Sequence, residues 1–449
     1  MAQTNTCFGY SSLFCQYDWK SSSIQRKSYA FQGEITSVSC YANPYISKCG
    51  NTLLLCHGTA SDMQKIHIIK REKEKLVTTI ELNVGWIVEV LPTPNEKYLL
   101  VLINVEDDME LDNDEGGVLY KVILYRMSLC SLPIMFNELS RIPLPITNPG
   151  QYVDVFLVND TYAVCFYSYH QGIPQEGANS NGMLVYRIDD DLQLLHSVNL
   201  RKFSNGFHRR VSASCWLSED VLVLVTEDFV LYNYDISKGA LVLMLRVAHR
   251  RFANEMSLFH IVSPVGDYIC AIEKPYYRGN FLDCSLWLIE RNREVFSVQV
   301  KTLLDYIEGY NSEFPCYPYD HDFKVDTHTG NCFLLIGSQR SQFVGLFCFN
   351  LLQPHKKTKI LMDSFLEENM CPQKPLMVVN ELEEASEVLL FWCPNFKSNR
   401  SLVLDGYCIA KPKSSLKYFA KMCLKRLHSV DELSLMELPK SLRNYLLSG

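Results

Sequence analysis

Residues 220–245 read DVLVLVTEDFVLYNYDISKGALVLML. An unbroken β-branched and aliphatic run, VLVLV, leads into an alternating stretch, FVLYNYDI, then a Ser-Lys-Gly turn and a third apolar run. Apolar runs of roughly four to eight residues bounded by turn formers are the pattern of short strands. A run with no polar alternation is one packed on both faces.

The same texture recurs along the chain. NTLLLCHG (51–58), KYLLVLIN (97–104), TYAVCFYS (161–168), DYICAIEK (267–274), NCFLLIGS (331–338) and SEVLLFWC (386–393) are all continuous apolar runs. With DVLVLVTE they make seven units, whose first residues are spaced by 46, 64, 59, 47, 64 and 55. Turn formers precede most of them, as in PTPNEK, VND, LSED and SPVGD, and alternating aromatic runs such as KVILYRM (121–127) and GMLVYRI (182–188) follow several. Seven short sheets in series hide their edges best when they stand radially around a channel. The expectation is therefore mainly β: a degenerate seven-bladed β-propeller over residues 1–410, with N-terminal strands helping the last blade to close the ring. Two stacked β-sandwiches are the alternative. SPVGDYICAIEK (263–274) resembles the turn and second strand of a WD repeat, and FVLYNYDISKGALVLML (229–245) resembles its third and fourth strands. No Trp-Asp dipeptide occurs, so such repeats are highly diverged.

Composition narrows the class. With 449 residues, 47% hydrophobic and 21% charged, the chain can bury a large core and is not disordered or fibrous. A net charge of −7 argues against a nucleic-acid or anionic-membrane binder. No run reaches the length of a membrane span, and the first residues lack the basic and apolar regions of a signal peptide. The 17 cysteines include no C-x-x-C pair, which reads as free thiols in the cytoplasm or nucleus and excludes knuckle-type zinc ligation.

After residue 410 the texture changes. Leu416, Ala420, Leu424 and Leu427 follow one another at i, i+4, i+8 and i+11, with Ser415 placed to cap the helix they imply. Pro439 suits the first turn of a final helix carrying Leu442, Tyr445 and Leu446. Residues 414–449 resemble a SOCS box, the C-terminal adaptor-binding module of cullin–RING ubiquitin ligase receptors. The matching residues are Ser415-Leu416, Ala420 and Leu424, then Leu438-Pro439-Lys440, Leu442 and Tyr445-Leu446. The resemblance implies that Leu416, Ala420 and Leu424 contact elongin C, with Leu416 entering a pocket. It also implies that Leu438, Pro439, Leu442 and Tyr445 orient a cullin. Ala420 stands where the family has cysteine, and Glu437 where it has the first proline of its cullin box, which leaves cullin-5 and cullin-2 both open. The partners implied are elongin B/C, a cullin with its RING protein, and a protein substrate. The overall architecture is similar to that of WD-repeat SOCS-box proteins. The alternative is an interaction scaffold whose C-terminal helices only cap the fold.

Two basic stretches fall between units: LRKFSNGFHRRVS, with Arg209 and Arg210, and LRVAHRRFANE, with Arg250 and Arg251. They precede adjacent blades, so they are expected side by side on one rim. Clustered guanidinium groups suit carboxylates or phosphates, hence an acidic or phosphorylated substrate. A solvated surface, or pairing with the chain's own EDDMELDNDE (106–115), is the plainer alternative. The aromatic stretch YNSEFPCYPYDHDF (310–323) is expected in a further loop. Its Asp320, His321 and Asp322, with Asp326 and His328, lack the spacing of a metal site. No nucleophile elbow, phosphate loop, zinc-protease helix or dinucleotide fingerprint is present. Cys165, Cys215, Cys270, Cys332 and Cys348 fall in apolar runs, where burial makes thiols inert. The expectation is a receptor that is not an enzyme and needs no cofactor.

Overall fold

The computed structural model describes residues 24–31, 44–47, 50–57, 64–72, 75–105, 120–129, 134–146, 151–169, 181–200, 211–226, 230–246, 257–265, 268–275, 285–290, 293–299, 321–325, 331–338, 343–350, 353–364, 376–381, 385–392 and 403–410. The chain is mainly β: among the described residues all 27 elements are strands. None of the described residues forms a helix long and apolar enough to cross a membrane.

The first strand, β1 (Ile24–Phe31), is held over for the end of the chain. β2 (Tyr45–Ile46), β3 (Thr52–His57), β4 (Gln64–Glu72) and the first half of β5 (Lys75–Pro92) form an antiparallel group of four. β5 is 18 residues long, and its second half starts the next group with β6 (Tyr98–Asn104), β7 (Tyr120–Ser128) and β8 (Met135–Pro143). Four separate four-stranded antiparallel sheets follow. The first holds β9 (Gln151–Val158), β10 (Tyr162–Tyr169), β11 (Gly182–Ile188) and β12 (Leu192–Asn199). The second holds β13 (Val211–Ser218), β14 (Val221–Thr226), β15 (Val230–Asp235) and β16 (Ala240–Arg246). β17 (Ser257–Val265), β18 (Tyr268–Pro275), β19 (Ser285–Glu290) and β20 (Arg293–Gln299) form the third. β21 (His321–Val325), β22 (Asn331–Ser338), β23 (Phe343–Asn350) and β24 (Gln353–Ser364) form the fourth.

The last group has only three strands of its own, β25 (Leu376–Glu381), β26 (Ala385–Trp392) and β27 (Val403–Ala410). β1 supplies the fourth, running antiparallel to β27 from Ile24↔Ile409 to Ala30↔Val403. The end of β1 also pairs in parallel with the start of β5, Ala30↔Lys75 and Phe31↔Leu76. The last group, the first and the second are thereby one 11-stranded sheet. The first strand of a group lies beside that of the next: β5 by β9, β9 by β13, β13 by β17, β17 by β21, β21 by β25, and β25 by β2. This succession of meanders has a propeller-like character.

All seven apolar runs of the sequence become the second strand of a group: β3, β6, β10, β14, β18, β22 and β26. The packing gives the reason. In β6, Leu99 and Val101 pack with Leu54, Ile66 and Ile68 of the first group. Leu100 and Leu102 pack the other way, with Ala163, Cys165 and Leu184. β10 repeats the arrangement, its Val164 and Phe166 meeting Leu222 and Leu224 of β14. Successive side chains point to opposite faces of a strand, and here both faces are covered by a neighbouring group, so every position is apolar. The core is a series of such interfaces, unlike the two facing sheets of a sandwich.

Candidate functional site

The residues singled out in the sequence fall largely outside the described part. Leu416, Ala420, Leu424, Leu438, Pro439, Leu442 and Tyr445 lie outside the described residues, as do Arg209, Arg210, Arg250, Arg251 and the acidic run 106–115. The two arginine-bearing stretches connect β12 to β13 and β16 to β17. They lead into neighbouring first strands, whose Cα atoms come within 8 Å of one another. Of the aromatic stretch 310–323, the last three residues begin β21 and so are strand and not loop; the rest lies outside the described residues.

What the structure adds begins at the turns between first and second strands. An acidic residue stands two positions before β6, β10 and β14: Glu96, Asp160 and Glu219. Each accepts a hydrogen bond from the preceding group. Tyr45 donates its hydroxyl to Glu96 Oε1 (2.8 Å), and the Asn95 amide donates to Asp160 Oδ1 (2.6 Å). Thr161 Oγ1 donates to Glu219 Oε1 (2.6 Å), while Asn159 Nδ2 donates to the Glu219 carbonyl (2.8 Å). The sequence carried the signal, an acid at a fixed offset in PTPNEKY, VNDTY and LSEDV, which becomes legible once the strands are placed. Nearby, Tyr98 donates to Asp190 Oδ1 at 2.8 Å and Arg126 pairs with the same carboxylate. The Arg126 hydrogen bond, and behind it that of Tyr98, holds Asp190 below the usual carboxylate range. Arg126 and Asp190 are open to solvent while Tyr98 is buried, and together they hook one turn to the next.

A buried ion pair joins the first group to the last. Arg71 on β4 donates from Nη2 to Glu387 Oε1 (2.7 Å) and from Nη1 to Glu387 Oε2 (3.0 Å). Nη1 also donates to the Gly50 carbonyl at 2.9 Å. Both side chains are only 10% exposed. Gly50 has φ of 72°, a left-handed backbone that glycine adopts without strain. The fork-on-fork geometry matches guanidinium to carboxylate.

The first strands share a further feature. Counting along the second strand, its fifth residue pairs regularly: Leu102 with Glu89, Phe166 with Val155, Val225 with Ala213, and Ile272 with Ile261. The register then slips by one on the first strand, and the residue passed over is Val88 in β5, Asp154 in β9, Ser212 in β13 and His260 in β17. A β-bulge thus recurs at the same step of the first-to-second-strand ladder in four consecutive groups. Among the described residues no three of His, Cys, Asp and Glu are grouped to hold a metal ion.

The buried thiols behave as expected of core residues. Burial, with the Glu89 charge behind it, pushes the Cys56 thiol up from 9.0 to about 12. Cys165 is pushed up further, by burial first and then by Asp154.

No protein-family model matches the chain, and no curated protein does. A solved structure that is similar is that of a Bacteroides fragilis protein described as a "putative 6-phosphogluconolactonase". It shares 9% identity, with 73% of this chain and 85% of that one aligned at a TM-score of 0.45. That name is an enzyme's, which runs against the expectation that the chain is not an enzyme. The expectation is withdrawn: the absence of sequence motifs does not exclude chemistry assembled from separate strands, and a likeness this distant assigns no activity in its place.

Proposed function

We propose that the chain is the substrate-recognition subunit of an elongin B/C–cullin–RING ubiquitin ligase. One observation carries this reading: Ser415-Leu416, Ala420 and Leu424, followed by Leu438-Pro439-Lys440, Leu442 and Tyr445-Leu446, at SOCS-box spacing after the last strand. In this reading the seven strand groups are the blades of one propeller within residues 1–410, and residues 414–449 are the box. Arg209, Arg210, Arg250 and Arg251 belong to connections into adjacent first strands and offer an acidic or phosphorylated protein a bidentate grip. The cullin is cullin-5 or cullin-2, and the complex works in the cytoplasm or nucleus.

The test is a pull-down of elongin B/C by the full chain, by Leu416→Asp and by a deletion of 414–449, each checked for an unchanged thermal melt. Removing Leu416 from a desolvated pocket should weaken binding by about 2–4 kcal/mol, the usual range for an anchoring residue. A folded wild-type chain that fails to capture elongin B/C overturns the reading. A deletion that melts well below the wild type would make the tail a cap on the strands above it.

A further inference from the structure

The turn from β13 to β14 shows solvent an unusual mixture of side chains. Trp216, near the end of β13, stacks on Tyr162 of the preceding sheet, with ring centroids 6.5 Å apart and planes 23° apart. Both residues are half-buried. The ladder passes over Leu217 between Trp216 and Ser218, and this extra residue is 39% exposed. One exposed leucine is ordinary on a protein surface. This one adjoins an aromatic pair and is followed by Ser218, Glu219 and Asp220, all exposed. Thr161 hooks Glu219 through Oε1 alone, and the exposed Asp160 precedes Thr161 in that facing turn. Asp220 stands beside the Tyr162 hydroxyl, which is pushed up by burial first and then by that carboxylate. Arg187 lies across the ladder from Tyr162, so three carboxylates border the rings against one guanidinium.

We infer that Tyr162, Trp216, Leu217, Glu219 and Asp220 form a docking surface for a basic segment of a partner protein, one in which arginine stands next to an aliphatic residue. Charge complementarity selects the sign of the partner, and the rings select the kind of cation. A guanidinium group lies flat on aromatic faces and takes carboxylate oxygens in pairs, so arginine meets both parts of the surface. The aliphatic neighbour covers Leu217. Trp and Tyr are the residues that most often anchor an interface. Trp216 Nε1 is buried with no acceptor among the described residues, so no hydrogen bond fixes the indole, and the ring can turn toward a ligand without breaking one. Turns between first and second strands lie at the opposite end of each antiparallel group from the connections that lead to the next. The surface is thus separate from the arginine-bearing connections, and it is independent of the C-terminal tail and of the ligase reading.

The probe is a fluorescein-labelled peptide, Gly-Arg-Leu-Arg-Leu-Arg-Leu-Gly, with its counterpart in which glutamate replaces each arginine. Fluorescence polarisation follows each peptide as the full chain is added at about 0.15 M salt, where long-range attraction is screened. Saturable binding of the arginine peptide is expected, and none of the glutamate peptide. Glu219→Gln and Asp220→Asn should each weaken binding by about threefold or more, in line with the loss of an exposed charge pair. Leu217→Lys, which sets a like charge in the middle of the surface, should weaken it by more than about tenfold. Glu138→Gln removes the same charge from β8, the outermost strand of another group, and should bind as the wild type does. Every variant is checked for an unchanged thermal melt; should Leu217→Lys fail to fold, Glu219→Gln and Asp220→Asn carry the test. A wild-type chain that leaves the arginine peptide free at millimolar concentration overturns the proposal. So do folded variants that bind as the wild type does, and so does Glu138→Gln if it weakens binding as much as Asp220→Asn.

Discussion

At Gly182 the strand leaves no room for a side chain while the Tyr167 ring stands where it does. A Cβ there would lie 2.3 Å from the ring of Tyr167, its partner across the ladder. The ring occupies the space a side chain would need, so Gly182→Ala is expected to cost about 1–3 kcal/mol, the range for overpacking. Urea unfolding measures it, and Tyr167→Ala in the same chain should return part of the loss. Cys56 gives a second prediction at this scale. Its thiol titrates near 12 in the folded chain against 9.0 without burial. The unfolded chain therefore gives up its proton first, and the thiol's contribution is complete below pH 9 and lost as pH rises towards 12. Stability should fall more steeply above pH 9 in the wild type than in Cys56→Ala. Iodoacetamide should reach Cys56 only on unfolding. Single residues of this kind were only half legible in advance. Burial of Cys165 and Cys215 followed from their apolar runs, whereas nothing in GMLVYRI says that its glycine lies under a tyrosine.

Strands differ in how plainly the sequence announces them, and the difference follows from what covers each face. β6 and β14 are buried almost throughout, so their residues are apolar without interruption. β8, MFNELSRIP, and β12, LQLLHSVN, are the outermost strands of their groups; β8 mixes exposed and half-buried positions irregularly, and β12 is largely exposed between its buried Leu192 and Val198. No periodicity survives there, and both went unread. β2 is only two residues long and offers no pattern at all. The bulges are illegible for another reason: a slip in register is a relation between two strands, and neither strand's residues encode it alone. The recurrent turn acids lie between these extremes, visible as spacing yet without meaning until the strands are set. The arginine pairs were legible as charge; they lie outside the described residues, in connections that precede adjacent strand groups.

For the molecule as a whole, the pair formed by Arg71 and Glu387 spans 316 residues of sequence and joins the first and last groups. With both side chains 10% exposed, removing one partner leaves the other charged and largely desolvated. Arg71→Met alone or Glu387→Leu alone should cost about 3–5 kcal/mol, and the double replacement much less than the sum. Breaking the surface pair of Arg141 and Glu138, both about 40% exposed, should cost no more than about 1 kcal/mol. Thermal and urea melts of the three variants and the surface control measure the contrast. No reading of the sequence could have paired residues so far apart.

The first of the described strands completes its pairing only with the last of them. Ile24 finds its partner in Ile409, which leaves the ribosome 385 residues later. At roughly 5–20 residues per second that is a wait of about 20–80 s. During synthesis β1 has only the start of β5 to pair with, at Ala30 and Phe31, until β27 is made. Among the described residues the β1–β27 ladder is the strand pairing of highest sequence separation, formed after the local meanders and subject to the slow step such contacts impose. A nascent chain of this design offers chaperones the open edge of β1 for most of the translation that separates it from β27.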